Sequence, residues 1–280
     1  MNKNGALRKG ADHLAVFAKD ALAGEHALIT GATGGIGKET AKAVAAMGAS
    51  VTITGRREEA LHEVKKEIEN DTRGISVYAH VCDLTDADDR ERLVASAERA
   101  NGFISLLVNA AGISGGTTVD ELTQEEMERI MHLNYTSTVL LTQRVYRKMK
   151  KKKKGGAVVN VSSLSGLRGT YGNTAYAASK FALIGFTHAM AVEAIRDGVR
   201  VNAVCPGYVD TEMGRAAIAR RAEREGRTYA EQLATVNENL PSGRVTQPEE
   251  VANAIAFLLT DAAENIVGES VKISAGSVLR

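Results

Sequence analysis

A glycine-rich turn between an apolar run and an alanine-rich helical stretch constrains this fold more than any other segment. The apolar run is 27–29, the turn is 30–37 (TGATGGIG), and the helical stretch is 38–47. Glycines let a backbone approach a pyrophosphate, and the following helix offers unpaired N–H groups and a positive dipole end. The context predicts a dinucleotide-binding unit, although the spacing is Gly-x-x-x-Gly-x-Gly rather than Gly-x-Gly-x-x-Gly. The alternative is an ordinary glycine-rich turn.

Apolar, β-branched runs alternate with helical stretches along the chain. We predict strands at 26–30, 51–54, 75–80, 104–109, 157–162, 200–204 and 270–273, and helices at 36–48, 57–70, 86–100, 123–150, 174–197 and 248–260. This alternation predicts an α/β fold with a parallel sheet covered on both faces. A chain of 280 residues can fold as one such domain.

Composition narrows the classes of partner. The net charge is +1, which gives no general attraction to nucleic acid or to an anionic membrane. No apolar run approaches the ~20 residues that span a bilayer, and charged residues interrupt the N-terminal segment where a secretory signal would be apolar. Two cysteines, Cys82 and Cys205, make neither a disulfide framework nor a metal cluster. We therefore expect a cytoplasmic protein without a metal ion.

A tyrosine and a lysine four residues apart, Tyr176 and Lys180, lie in the predicted helix 174–197. This spacing puts the phenol and the ammonium on one helix face, one turn apart. A nearby ammonium lowers the pKa of a phenol from its ordinary value of about 10, which suits proton transfer to or from an alcohol oxygen. For the pair alone, ordinary helix surface is the alternative.

Seven segments in this order resemble the short-chain dehydrogenase/reductase family. They are TGATGGIG at 30–37, CDL at 82–84, NAAG at 109–112, Asn134, VNVSS at 159–163, YAASK at 176–180 and CPGYVDT at 205–211. The resemblance covers 25–280 and implies one Rossmann-type domain, with a doubly wound, seven-stranded parallel sheet in the order 3-2-1-4-5-6-7. Residues 1–24 lie outside it, and we predict for them an extension with an amphipathic helix from about Asp12 to Leu22.

The resemblance implies four catalytic residues, Asn134, Ser163, Tyr176 and Lys180. Tyr176 exchanges the proton. Ser163 holds the substrate oxygen, and it is preferred to Ser162 because the family places this serine thirteen residues before the tyrosine. Lys180 binds the cofactor ribose and lowers the pKa of Tyr176, and Asn134 holds a water that links Lys180 to solvent. Seen alone, an asparagine at 134 is more often a surface residue.

The end of the second predicted strand favours NADP(H) over NAD(H). Members of the family that use NAD usually carry a carboxylate there, where this chain has Gly55 followed by Arg56. An arginine offers a charged, bidentate clamp for the 2′-phosphate. The alternative is that Arg56 and Arg57 begin a solvated helix.

The other expected cofactor contacts follow from the matching segments. They are Gly31, Thr33, Gly35, Ile36 and Gly37 in the turn, Asp83 and Leu84 at the adenine, Asn109, Ala110 and Gly112 near the ribose, Tyr176 and Lys180, and Pro206, Gly207, Val209 and Thr211 at the nicotinamide. For Asp83, a plain helix N-cap is the alternative.

Two basic segments could bind a partner or a substrate. The stretch 212–240 resembles a helical lid, and its first half contains Arg215, Arg220, Arg221, Arg224 and Arg227. It is either a solvated helical face or a gate for an anionic substrate or a phosphopantetheine arm. The stretch 148–154 holds six lysines at a predicted helix end, and it is either a solubilising end or a docking patch for an acidic carrier protein.

Together these features predict an NADP(H)-dependent oxidoreductase that interconverts a ketone and a secondary alcohol. The resemblance favours a 3-oxoacyl thioester (acyl-carrier-protein) reductase or a polyketide ketoreductase. The alternatives are an NAD-dependent alcohol, polyol or steroid-type dehydrogenase, a catalytically silent nucleotide sensor, or an interaction protein. We also expect a homotetramer, because helices 123–150 and 174–197 carry apolar residues beyond one face. These residues include Val139, Leu140, Leu141, Phe186, Met190 and Val192.

Overall fold

Seven parallel strands form one sheet in the order β3-β2-β1-β4-β5-β6-β7 in the computed structural model, which describes residues 16–279. The strands are β1 (His26–Thr30), β2 (Ser50–Gly55), β3 (Val77–Val81), β4 (Leu106–Asn109), β5 (Gly156–Val161), β6 (Val199–Pro206) and β7 (Ser270–Ile273). The helices are α1 (Gly35–Ala46), α2 (Glu58–Asp71), α3 (Ala87–Asn101), α4 (Gln124–Met131), α5 (Thr138–Lys152), α6 (Thr174–Ala194), α7 (Glu212–Arg224), α8 (Tyr229–Glu238) and α9 (Pro248–Leu259). The predicted fold class and strand order are confirmed.

Both faces of the sheet are covered by helices. Neighbouring residues of β1 point to opposite faces, so Ile29 joins the core under α1, α2 and α9, and Leu28 joins the core under α3, α5 and α6. This two-sided burial explains why the strands read as continuous apolar runs.

The carboxyl ends of β1, β2 and β4 meet at one edge of the sheet. Thr30 at the end of β1 lies opposite Thr54 of β2 and Asn109 of β4. The chain leaves β1 towards one face and β4 towards the other, which opens a crevice where dinucleotides bind in folds of this type.

The predicted helix 123–150 is interrupted by a π-helical turn, His132–Ser137, between α4 and α5. Within it the Ser137 hydroxyl donates to the carbonyl of His132 at 2.8 Å. Single π turns inside helices frequently mark functional sites, and Asn134 lies in this one.

The N-terminal extension differs from its prediction. Residues 12–15 of the predicted helix lie outside the described residues, and residues 16–24 form bends and turns rather than helix. Here the Leu22 amide donates across to the Met47 carbonyl at 2.8 Å. Leu22 is buried and Phe17 packs against the same core, so the apolar pattern indicated burial correctly and helix wrongly.

The predicted lid is a pair of helices, α7 and α8, which pack against each other. Thr211 caps α7 by accepting from the Gly214 amide at 3.1 Å, and Thr228 with Glu231 forms a capping box on α8. Among residues 16–279 no helix is both long and apolar enough to cross a membrane.

Candidate active site

A cleft of about 1660 Å³ opens at the carboxyl edge of the sheet. Its lining comes from the glycine turn, the loops after β2, β3, β4, β5 and β6, and helices α6 and α7. All the expected site residues line it except Asn109 and Asn134.

Close contacts restrict three positions of the glycine turn to glycine. Gly31 has φ +65°, and a Cβ atom there would lie 2.7 Å from the Ala111 backbone. A Cβ on Gly37 would overlap the Gly31 carbonyl oxygen, and one on Gly35 would lie 2.5 Å from the Thr211 methyl carbon. The turn therefore holds the backbone close enough for a diphosphate, with no space for a side chain.

The loop after β4 is held by two side chains behind the cleft. The Thr30 hydroxyl oxygen accepts from the amides of Ala110 and Ala111, each at 3.1 Å. Asn109 donates to Thr142 at 2.9 Å and to Asn160 at 2.8 Å, and it is buried in the core. Asn109 thus positions the end of β4 from within the core and is not among the residues that line the cleft, and its expected contact with a cofactor stays a prediction.

Ser163 and Tyr176 both line the cleft, and the Ser163 hydroxyl interacts with the Tyr176 phenol. The Ser163 hydroxyl oxygen accepts from the Ser165 amide at 3.1 Å, so its own hydrogen is not used by that bond and can be donated to the Tyr176 phenol or to a ligand. Ser162 instead donates to the Lys180 backbone carbonyl at 3.1 Å. Of the two serines, Ser163 is therefore the one whose hydroxyl can act in the cleft.

Lys180 is buried beside the tyrosine. Its Nζ donates to the Val161 carbonyl at 2.9 Å and lies 5.7 Å from the centre of the Tyr176 ring. Burial lowers the pKa of Lys180 to about 8.

The pKa of Tyr176 shifts in the opposite direction to the one expected from the sequence. Burial raises the pKa of Tyr176 above its ordinary value, and the Ser163 hydroxyl offsets only part of the rise. The predicted lowering by Lys180 is wrong for this arrangement, because the ammonium bonds to a neutral carbonyl and lies near the ring. The phenol is consequently protonated at neutral pH.

Asn134 is fully buried, and its side chain is satisfied by protein groups. Its amide nitrogen donates to the Ile113 carbonyl at 2.9 Å and to Ser179 at 3.0 Å, and its oxygen accepts from the Ile113 amide at 2.9 Å. A Cβ on Gly112 would lie 3.2 Å from that oxygen and 3.5 Å from the Lys180 Nζ. The structure thus brings Asn134, Gly112 and Lys180 together.

The family model described as short chain dehydrogenase matches residues 25–222. The chain belongs to this family. The enzyme is therefore an oxidoreductase that acts on CH–OH groups, as predicted.

Several named relatives align with this enzyme over most of its length. A granaticin polyketide synthase putative ketoacyl reductase of Streptomyces violaceoruber is 35% identical over 89% of this chain and 92% of its own length. The 3-oxoacyl-[acyl-carrier-protein] reductase FabG of Vibrio cholerae is 34% identical over 91% of this chain and 98% of its own. The solved structure of a variant actinorhodin polyketide ketoreductase with NADPH superposes with a TM-score of 0.87 at 32% identity, covering 93% of this chain and 99% of that one.

At the expected adenine end, Asp83 accepts from the amide and hydroxyl of Thr85 at 2.9 and 2.7 Å. The hydrogen bond from the Thr85 backbone amide is the main reason that the pKa of Asp83 lies below its ordinary value. The N-cap alternative for Asp83 is wrong, because Asp86 caps α3 by accepting from the Asp89 amide at 2.7 Å. Asp83 and Leu84 both line the cleft.

Two arginines flank the expected ribose position. Arg56 and Arg57 are both exposed and both line the cleft. Arg57 also donates to the Thr33 carbonyl of the glycine turn at 3.3 Å. Only Arg56 was predicted as a contact, although the adjacent arginines 56 and 57 are a signal that could have included Arg57.

The expected nicotinamide end is built by the chain after β6. A Cβ on Gly207 would lie 3.2 Å from the Leu164 side chain, so a glycine keeps this passage open. Val209 is buried and forms a β-bridge with Thr246, while Pro206 and Thr211 line the cleft.

This lining fits a dinucleotide. Three glycines of the turn have no room for a Cβ, two guanidinium groups flank the expected ribose position, and Asp83 is held ionised at the other end. Both thiols are buried, and burial raises the pKa of Cys82 to about 12 and of Cys205 to about 11, so neither is a nucleophile at neutral pH. The described residues hold no group of His, Cys, Asp or Glu that could bind a metal ion.

Proposed function

We propose that this enzyme reduces the ketone of a 3-oxoacyl thioester to the 3-hydroxyacyl thioester, with NADPH as its cofactor. The observation that carries the proposal is the placement of Tyr176 beside Ser163 in a cleft shaped for a dinucleotide. The names of the relatives, ketoacyl reductase and 3-oxoacyl-[acyl-carrier-protein] reductase, support the substrate class. The neighbouring ketoreductase structure, solved with NADPH, supports the cofactor.

The proposed chemistry places a hydride on the carbonyl carbon and a proton on the carbonyl oxygen. When bound, NADPH supplies the hydride. The free hydrogen of Ser163 holds and polarises the ketone oxygen. The Tyr176 hydroxyl, which is protonated at neutral pH, then gives its proton to that oxygen.

We assign Lys180 and Asn134 to the return of the proton. Lys180 has a pKa of about 8, so its ammonium can release a proton near neutral pH towards the tyrosinate. In this proposal Lys180 also binds the ribose. Asn134 fixes the backbone at Ile113, next to the lysine, and so supports the proton path.

The expected cofactor contacts keep their proposed roles, with one change. Arg56 is proposed to bind the 2′-phosphate, and Arg57 now joins it because it lines the same part of the cleft. Asn109 acts indirectly, by holding β4 from the core.

The lysine run 148–154 is proposed as a docking patch for an acidic carrier protein. Three of its lysines have partners: Lys148 pairs with Glu98 at 2.5 Å, Lys150 pairs with Asp197 at 3.1 Å, and Lys154 lies 5.9 Å from the Phe103 ring centre. Lys151, Lys152 and Lys153 are exposed, and they have no ion pair with another described residue. These three offer charge to a partner at little structural cost.

We also propose a cytoplasmic homotetramer. On α6, Phe181 and Val192 are 46% and 69% exposed, and exposed apolar patches mark interfaces. We expected Leu141 and Met190 on this surface, but both are buried in the core. The patch is therefore smaller than the sequence indicated.

The test supplies acetoacetyl thioesters with either NADPH or NADH. The rate is measured as oxidation of the cofactor, and the 3-hydroxyacyl product is identified. We expect turnover with a clear preference for NADPH. A protein that binds NADPH but reduces no 3-oxoacyl thioester would be a nucleotide sensor or an enzyme for another alcohol.

A further inference from the structure

Two arginines on α7, Arg220 and Arg224, line the cleft one helical turn apart. Arg220 donates to the Ser114 hydroxyl at 3.1 Å, and the Arg224 guanidinium stacks on the Tyr171 ring at 4.9 Å. Neither forms an ion pair with a carboxylate of the described residues. By contrast, Arg221 and Arg227 of the same lid both pair with Glu225, at 2.6 and 3.3 Å.

The backbone opposite these arginines makes room for them. A Cβ on Gly116 would lie 2.7 Å from the Arg220 Nε, and one on Gly172 would lie 2.9 Å from an Arg224 terminal nitrogen. Gly116 follows β4 and Gly172 precedes α6, so both loops border the catalytic groups. Two glycines at these positions fit a site that accommodates two guanidinium groups.

This site lies next to the catalytic tyrosine. A Cβ on Gly115 would be 3.6 Å from the Tyr176 Cβ and 3.8 Å from the Asn173 side-chain oxygen. That oxygen is buried and has no hydrogen-bond partner among the described residues. An unpaired acceptor close to the tyrosine, with unpaired cations beyond it, suits a ligand that has a donor near its ketone and an anion farther out.

We propose that Arg220 and Arg224 form a subsite for an oxyanion of the substrate, a carboxylate or a phosphate that lies beyond the reacting ketone. Guanidinium groups bind both through charge-assisted, bidentate hydrogen bonds. The anion sits on the acyl tail if it is a carboxylate and on the pantetheine arm if it is a phosphate. The inference rests on the proposed function and names the substrate class of that site.

The test compares substrates that differ in one anionic group. Acetoacetyl-pantetheine is paired with acetoacetyl-4′-phosphopantetheine, and 3-oxohexanoyl-N-acetylcysteamine with 3-oxoadipoyl-N-acetylcysteamine. We expect Arg220→Gln and Arg224→Gln each to lower the ratio of kcat/KM for the anionic over the neutral member of one pair by about tenfold. The affected pair identifies the source of the anion.

Two further variants separate recognition from lid structure. Arg215→Gln is the matched control, because Arg215 lies on the same helix but pairs with Asp210 at 2.7 Å and lies outside the cleft lining. Arg220→Lys keeps a charge and should restore part of the ratio. If Arg220→Gln lowers kcat/KM equally for neutral and anionic members, the arginines only hold the lid and the proposal is wrong.

A binding measurement keeps this result independent of turnover. Calorimetric titration with 4′-phosphopantetheine, pantetheine and adipate should show an anion-dependent affinity that Arg220→Gln and Arg224→Gln reduce by about tenfold. If that loss is seen while no ketone is reduced, the proposed function fails and the subsite stands. If 3-oxoacyl thioesters are reduced but neither anion affects binding or kcat/KM, the subsite fails and the proposed function stands.

Discussion

The two walls of the cleft present different kinds of group to a ligand. The wall made by the glycine turn and the loop after β4 rests on backbone contacts so close that a single Cβ at Gly31 or Gly37 would overlap its neighbours. The wall made by α7 buries Ile218 and Ala222 and presents long charged side chains to the cleft, such as those of Arg220 and Arg224. A close-packed wall accepts one ligand shape, whereas a wall of flexible side chains can change its specificity by substitution. We therefore expect the cofactor to be selected by a rigid surface and the substrate by an adaptable one.

The largest expected loss of activity comes from Tyr176→Phe, at a residue in the cleft between the two walls. The variant keeps the packing ring and removes the proposed proton donor, so kcat should fall by at least ~10²-fold. The dissociation constant of NADPH, measured by fluorescence titration, should remain near that of the parent enzyme. Near-normal turnover in this variant would exclude Tyr176 as the acid.

The rigid wall is tested by Gly37→Ala. The added methyl group overlaps the Gly31 carbonyl, so we expect unfolding to become easier by roughly 1–3 kcal/mol and NADPH affinity to fall. Gly169→Ala is the matched control, because an added Cβ there meets no atom within 4 Å. Denaturant unfolding and NADPH titration measure both effects. If the two variants behave alike, the wall is less rigid than its contacts indicate.

Cofactor preference should shift when Arg56 is replaced. Gly55→Asp together with Arg56→Gln supplies a carboxylate for a ribose hydroxyl and removes a cation, which should move the ratio of kcat/KM from NADPH towards NADH by about ten- to a hundredfold. A Cβ at Gly55 would lie 3.3 Å from Thr33, so the turn must adjust slightly. Arg57→Gln alone serves as the comparison for the second guanidinium. A parent enzyme that prefers NADH would contradict the proposed role of Arg56.

The smallest effect is expected at the lysine run. Replacing Lys151, Lys152 and Lys153 with glutamine should raise KM for a carrier-bound substrate severalfold at low salt, because exposed charges mainly speed association. KM for an acetoacetyl-N-acetylcysteamine substrate should not change. If both substrates respond equally, or neither does, this segment is only a solvated helix end.

The strands, their order and the family could be predicted from the sequence because they depend on apolar periodicity and on ordered motifs. The π turn could not, because the segment 132–137 contains no proline or glycine to signal an irregular helix. The N-terminal segment reads as an amphipathic helix, yet Leu22 bonds to the end of α1, and only the tertiary structure supplies that partner.

In the candidate site, the sequence predicted which residues come together better than it predicted the direction of their pKa shifts. Ser163, Tyr176 and Lys180 meet as their spacing suggests. The direction of the Tyr176 pKa shift depends on burial and on where the Lys180 ammonium bonds, and neither can be read from a four-residue spacing. Asn109 was assigned to the ligand because of its motif, although its hydrogen bonds lie in the core.

The π turn between α4 and α5 changes the direction in which the side chains of α5 point relative to those of α4. An α-helix advances by about 100° per residue, so one extra residue in a turn rotates everything after it by about that angle relative to everything before it. Ile130 ahead of the turn can then face Gly115 beside the cleft, while Thr142 behind it faces Asn109 beneath the sheet edge. Deleting one residue, such as Tyr135, would restore an unbroken helix and take one of these two contacts out of register.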